Sequence, residues 1–377
     1  MSNKTHVFLT HKSGNFYFNH RFSNHKLYSL LVEITILNET IVDLPILPEM
    51  ASKLELEINY RSIAGTAAIE NNPITENDVR KIAEGKEVKG YSKNHKQEII
   101  NLIEVYKQLS KADVQPGLEI TEKIIKGIHK DITKNVKHEY NIPGGYRSNE
   151  VFVGDKAPGG IYKPPKILKD IQDLMKEFVT WINCKEITNS HPVLRAALAH
   201  YYLCLIHPFA DGNGRTARIL EAILLKSAGI KYALKELSNY YYRNIDDYYS
   251  GFSKTIELKK ENDVSPFLEV MFKGTAQSLK QIKGSVVECI RLLSLKDYFR
   301  FLYEKKDITI RQYDFLLLQL QQTHAFYLKD LFNKPVYRPL YKEVSEQTAR
   351  RDLKKFLKLG IIETKDNQYR INWRCLG

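Results

Sequence analysis

His207-Pro-Phe-Ala-Asp-Gly-Asn-Gly-Arg-Thr-Ala-Arg218 lies between two apolar helical runs, residues 193–206 before it and 219–225 after it. Pro208 stops the first run, because a proline cannot donate into a helix that continues through it. Gly212 and Gly214 free the backbone so that successive N–H groups can turn inward as an anion-binding nest, and the helix that follows aims the positive end of its dipole at the same point. Arg215 and Arg218 are three apart at its start, so their forked donors can converge on one polyanion. Asp211 suits Mg²⁺, which takes one or two carboxylates and otherwise keeps water and phosphate oxygens. His207 has the pKa range of a general base. A histidine or a Gly-Asn-Gly turn alone is ordinary structure. An acid, two glycines, an amide and two arginines packed together would bury charge to no purpose without an anion. The GxxxxGK(S/T) spelling of a P-loop is absent, which disfavours that class of NTPase.

The chain around this stretch has 377 residues, enough for two or three domains. Its +13 net charge favours phosphate-bearing partners: nucleotides, nucleic acid or an anionic surface. Cys184, Cys204, Cys289 and Cys375 are scattered without a CxxC pair, so neither a disulfide framework nor a thiolate metal site is indicated. The first residues lack the apolar core of a signal peptide and no run of about 18 apolar residues occurs, so a cytoplasmic protein without membrane contact is expected. Residues 1–45 are mixed, and the aromatic and β-branched alternation in His6-Val-Phe-Leu-Thr and Leu30-Leu-Val-Glu-Ile-Thr-Ile suits short strands or an irregular cap. From about 48 to 270 the pattern is helical, interrupted by Pro143-Gly-Gly145 and Ala157-Pro-Gly-Gly160, which bracket the β-prone Val151-Phe-Val153 and predict a small hairpin.

The 207–218 stretch fills every defined position of HPFx(D/E)GNGRxxR, and on it the chain resembles the Fic family over roughly 46–275. The resemblance implies a mainly α fold: a Fic-type helical core with a small β-hairpin flap. It implies transfer of AMP from Mg²⁺-ATP to Ser, Thr or Tyr hydroxyls of a target protein. By position, His207 would be the base, Asp211 the metal ligand, and Gly212, Asn213 and Gly214 the phosphate cradle. Thr216 and Ala217 lie on the same turn, and Arg215 with Arg218 would clamp the outer phosphates. The related Doc-type phosphotransferases carry another residue at the position of Gly214, so the spelling favours nucleotidyl transfer, with the donor base less firmly fixed. Pro143-Gly-Gly-Tyr-Arg147 and Val151-Phe-Val-Gly154 are similar to the family's flap region. There Val153, Gly154, Asp155 and Lys156 would border the nucleotide, and the target would add a strand by main-chain pairing. Tyr248 and Tyr249 resemble the family's pair beside adenine, although tyrosines at helical spacing equally suit packing.

Upstream, Thr66 and Glu70 share a helix face, and Pro73 forbids continuation. Thr66, Glu70 and Asn71 fill the (S/T)xxxE(G/N) pattern of the Fic inhibitory helix, here about 55–72. The resemblance implies that Glu70 pairs with Arg218 and keeps ATP in an unproductive pose.

The tail differs. Residues 334–374 carry eleven Lys or Arg against five Asp or Glu, six of the thirteen surplus charges. Segments at 313–320 and 327–332, a helix from the N-cap Ser345 to Gly360 and a hairpin about Asp366-Asn367 read as a winged helix-turn-helix. Gln347, Thr348 and Arg351 would lie at its groove-reading end and double-stranded DNA is the implied partner, with protein docking the alternative. The chain therefore reads as an N-terminal extension (1–45), a Fic domain (46–280) and a winged helix-turn-helix domain (290–377). Three functions compete: an autoinhibited protein adenylyltransferase, a DNA-binding regulator whose Fic domain senses nucleotide, and an enzyme that removes AMP at the same site. A homodimer stays open.

Overall fold

The computed structural model describes residues 5–22, 24–153, 162–230, 233–258, 263–322 and 324–376 and is built mainly from helices. Two units divide the chain: Met1–Asp43 with Leu47–Lys283, and Leu44–Ile46 with Gly284–Gly377. In the first, β1 (His6–Leu9) and β2 (Asn15–Phe18) pair antiparallel with His6 opposite Phe18. Phe18 packs against Trp181 and Tyr202. The run at 30–36 does not form the expected strand; it lies inside α1 (His25–Asp43). Leu27, Leu31, Ile34, Leu37 and Ile41 are buried there at steps of three and four, so the helical period buries one stripe that a strand would have split between two faces.

Then come α2 (Pro48–Ile69), α3 (Glu76–Ala83), α4 (Lys93–Lys111), α5 (Glu122–Thr133), α6 (Leu168–Ile182), α7 (Lys185–Thr188), α8 (Pro192–Ile206), α9 (Asn213–Ser227), α10 (Ala233–Arg243), α11 (Ile245–Glu257) and α12 (Ser265–Glu304). Thr75, Ser92 and Thr121 open α3, α4 and α5, each accepting a backbone N–H from the first turn. Proline occupies the first turn of α2 and α8, where no helical N–H is missed. At Gly65 a Cβ would stand 2.8 Å from the Asn239 Cα, so only glycine lets α2 lie against α10. That contact fixes the end of α2 over the start of α9. α8 is buried along nearly its whole length, which makes it the rigid post at whose end His207 stands.

The second unit holds the last part of α12, then α13 (Ile310–Gln322), α14 (Asp330–Asn333), α15 (Arg338–Tyr341), α16 (Glu346–Lys358), β3 (Ile362–Lys365) and β4 (Gln368–Ile371). Ser345 accepts from Thr348 N to open α16. Asp366 and Asn367 both take positive φ, the requirement of a two-residue hairpin turn, and join β3 to β4. Its core centres on Phe299, Phe315, Phe326, Tyr341 and Phe356. Buried Asp352 accepts from Arg311, Gln312 and Tyr341, tying α13, α15 and α16 together. Among the described residues no helix is long and apolar enough to cross a membrane. All four cysteines are free.

Candidate active site

His207 caps the end of α8 in the left-handed region (φ 51°, ψ 58°), with its N–H on Leu203 O at 3.0 Å. Its Nδ1 is 3.2 Å from Cys204 O. A carbonyl can only accept, so the proton sits on Nδ1 and Nε2 keeps its lone pair. Burial pushes the imidazole pKa down to about 4, so at neutral pH this is a free base. The turn that follows is sewn by Asn213, whose amide accepts from Phe209 N at 2.9 Å and donates to Phe209 O at 2.8 Å. Thr216 Oγ1 donates to Gly212 O at 2.8 Å, and Ala217 is buried in the core.

Two side chains from elsewhere hold this turn. His129, in α5, stacks on Phe209 with ring centroids 3.7 Å apart. Its Nδ1 accepts from Gly144 N at 2.9 Å, which leaves Nε2–H to donate to Asp211 O at 3.0 Å. Burial lowers its pKa to about 4 as well, consistent with a neutral ring. Arg147 spends its guanidinium on three carbonyls, those of His207, Asn149 and Pro165, each at 2.7 Å. Burial draws its pKa down to about 10. The carbonyl of the candidate base is therefore pinned from behind.

The N-cap of α9 is Gly212 (φ 76°), which offers no side-chain cap, so among the described residues no side chain claims the N–H groups of its first turn. Arg215 donates to both oxygens of Asp211, at 3.0 and 2.9 Å, and has Glu98 at 3.3 Å. It is 3% exposed, and its Nε and Nη1 have no hydrogen-bond partner among the described residues. Burial raises the Asp211 pKa, but Arg215 outweighs it and holds the carboxyl below its usual range. Arg218, equally buried, donates from Nε to Thr66 Oγ1 at 2.7 Å and from Nη2 to Glu70 Oε1 at 2.6 Å. Longer contacts reach Thr66 O and the Tyr248 hydroxyl, each at 3.4 Å. Burial would raise the Glu70 pKa; Arg218 and Arg215 more than offset it, and the carboxyl stays ionised. A Cβ at Gly214 would overlap Glu70 Oε1 and stand 3.0 Å from Arg218 Nη1. A side chain there would displace the carboxylate and guanidinium that meet over the helix start.

His207, Asp211, Gly212, Asn213, Gly214, Arg215, Arg218 and Glu70 thus come together in one place. Val153 exchanges both main-chain hydrogen bonds with Tyr162, at 3.0 and 2.8 Å. Gly154, Asp155 and Lys156 lie outside the described residues. Tyr248 is buried, its hydroxyl engaged by His200 and Arg218, while Tyr249 is half-buried with its hydroxyl 3.5 Å from Ile69 O. Sequence reasoning gave no role to His129, Arg147, Glu98 or His200. His129, Glu98 and His200 each stand alone on a helical run with no local spelling that marks them, and Arg147 lies in a loop whose spelling suggested the flap region and no task for the arginine.

Residues 119–225 match the model of the Fic/DOC family. The protein adenylyltransferase Fic of Drosophila ananassae is 34% identical over 228 residues, 59% of this chain and 41% of that protein. That of Drosophila virilis is 33% identical over 228 residues, 59% and 42% of the two chains. The chain thus spans about two fifths of the length of these curated relatives. Among solved structures, a Fic family protein from Desulfovibrio desulfuricans G20 is similar with a TM-score of 0.59 at 20% identity, over 94% of this chain and 98% of that one. Fic-1 from C. elegans gives 0.56 at 23% identity, over 69% and 72%. At these identities the likeness is one of fold.

Proposed function

We propose that this chain transfers the AMP part of ATP to a Ser, Thr or Tyr hydroxyl of a target protein and is restrained by Glu70. The observation that carries the reading is the anion already in the site: a carboxylate bound to buried Arg218 in front of Gly214, beside the uncapped start of α9. A polyphosphate offers the same charge to the same donors, and the Nε of Arg215, which has no hydrogen-bond partner among the described residues, is what such a ligand would satisfy. The target hydroxyl would lose its proton to His207 Nε2 as its oxygen bonds to the α-phosphorus and pyrophosphate leaves. Asp211, with its side chain 26% exposed, suits Mg²⁺; that ion, when bound, would neutralise phosphate charge. The names of the Drosophila relatives support the same chemistry.

The target would dock by strand addition beside Val153. Both main-chain groups of Val153 are taken by Tyr162, so those of Phe152 turn to the opposite edge, where no main-chain partner occurs among the described residues. Phe152 is also 63% exposed, an apolar contact for that strand. Tyr249 is the tyrosine of the pair best exposed to meet a base.

The test is incubation of the Glu70→Gly protein with α-labelled ATP and a lysate of its host. Label should enter protein and be lost, by a factor on the order of 10² to 10⁴, when His207→Ala is added. Label retained by that variant at the parent rate would refute the mechanism. Release of AMP from already modified protein by the parent chain, without incorporation by Glu70→Gly, would favour the reverse reaction.

For the second unit the supporting observation is α16, which buries Ala349, Asp352, Leu353 and Phe356 and exposes Arg350, Arg351, Lys354 and Lys358. With the β3–β4 hairpin beside it, this supports a winged helix that binds duplex DNA. Affinity should fall steeply with salt as phosphate counterions are released. A gel shift without salt dependence would favour protein docking.

A further inference from the structure

Arg218 is gripped from two sides. Thr66 and Glu70 hold it from α2, whereas its contact from α11 is Tyr248. Behind Tyr248 runs a hydrogen-bonded chain through the core, drawing one residue each from α8, α9 and α10. Its hydroxyl is 2.8 Å from His200 Nε2, His200 Nδ1 is 3.0 Å from Glu221 Oε2, and Tyr241 donates to Glu221 Oε1 at 3.0 Å. Tyr248, His200, Glu221 and Tyr241 are each at most 2% exposed. Buried polar groups of this kind survive only when mutually satisfied, and none of them except Tyr248 touches the site.

For a neutral His200 the donors can be ordered: the Glu221 carboxylate accepts from Nδ1–H, and Nε2 accepts. The Tyr248 O–H then points at His200, which turns the oxygen's lone pairs toward Arg218 Nη1. We infer that Tyr248, His200 and Glu221 are positioning residues. They hold a fixed acceptor against Arg218, so that its fork stays aimed at the outer phosphates after Glu70 has withdrawn. The inference rests on the nucleotide reading proposed above. In the braked chain α2 already fixes Arg218; the core chain matters most once the brake is off.

The experiment uses the full-length Glu70→Gly protein, with ATP and AMP binding measured by calorimetry beside melting temperatures. Tyr248→Phe, which removes one oxygen, should weaken ATP about tenfold and leave AMP within a factor of two, because the outer phosphates alone meet Arg218. His200→Leu should do the same, and His200→Gln, whose amide oxygen can accept from Tyr248 while its NH₂ faces Glu221, should recover most of the loss. In the parent background the same substitutions should change ATP affinity less than threefold. Equal weakening of ATP and AMP, or none, would overturn the positioning role while leaving transfer intact. Failure of Glu70→Gly itself to bind ATP would overturn the nucleotide reading and this inference with it. If His200→Leu does not fold, Tyr248→Phe and His200→Gln carry the decision alone.

Discussion

Glu70→Gly removes a carboxylate that lies 2.6 Å from Arg218 Nη2 and leaves the guanidinium its bonds to Thr66 and Tyr248. A hydrogen bond to a charged group contributes about 1.5–3 kcal/mol net. On the proposed reading ATP has to replace that interaction to seat its outer phosphates, so its removal should raise transfer by about 10- to 150-fold at subsaturating nucleotide. Stability should move the other way. Breaking a buried ion pair by removing one partner costs about 3–5 kcal/mol when the remaining charge is stranded. Here the figure should be nearer 2 kcal/mol, because the Glu70 side chain is 29% exposed and Arg218 keeps two other acceptors. For a unit of this size that lowers the melting temperature by roughly 4–8 °C. Mg²⁺-ATP at about 100 times its Kd should return roughly 2.7 kcal/mol to the variant and visibly less to the parent, where Glu70 competes for Arg218. Two assays follow: label incorporation from α-labelled ATP, and melting curves with and without Mg²⁺-ATP. Adding Arg218→Ala should abolish both gains. If Glu70→Gly labels no more than the parent and ATP shifts both melting temperatures equally, Glu70 is not a brake.

Three other outcomes follow from the same geometry. With burial holding His207 near 4, its neutral form persists at mildly acid pH, so kcat/KM of the Glu70→Gly protein should stay flat from pH 8 to about 5 and fall only below that; a half-loss near pH 6.5 would mean an unperturbed histidine. Gly214→Ala should destabilise the parent by about 1–3 kcal/mol in urea melts, because its Cβ meets Glu70 and Arg218. Adding Glu70→Gly should reduce that effect, and strict additivity would refute the contact. His129 is also held near 4 against 6.5 when unfolded, so the unfolded chain takes up the proton first and stability falls as pH drops from 6.5 towards 4, by about 3 kcal/mol at 1.36 kcal/mol per pH unit. His129→Asn should flatten that slope, and an unchanged slope would refute it.

What was legible in the sequence is what lies close together along it. The twelve residues 207–218 fold back on themselves through one turn and one helix start, so their spacing alone brings an acid, a nest and two arginines to one point. Thr66 and Glu70 were legible for the same reason, as a pair on one face. Their meeting with Arg218 spans 148 residues and could be read only through the family resemblance. His129 had no such aid, and for Arg147 the resemblance marked a segment without giving the side chain a task. Both act on main-chain carbonyls, those of Asp211, His207, Asn149 and Pro165, and a carbonyl has no spelling. The helix α1 was misread because its β-branched residues follow strand propensity, a local preference that burial of one apolar stripe overrode.

The candidate base offers a different kind of signal. The residue after a helix that turns into the left-handed region is ordinarily glycine or asparagine, and a side chain such as histidine there costs on the order of 1–2 kcal/mol. His207 accepts that strain at φ 51° because its neighbours determine it from every side: Leu203 holds its N–H, Arg147 its carbonyl, and Cys204 its ring proton. Pro208 makes the alternative, one more turn of helix, inaccessible. A glycine would relax the backbone and lose the imidazole. The local rule is thus broken at the position where the proposed transfer needs a fixed, unprotonated nitrogen, and the three contacts that enforce the break are the reason that the ring stays aimed.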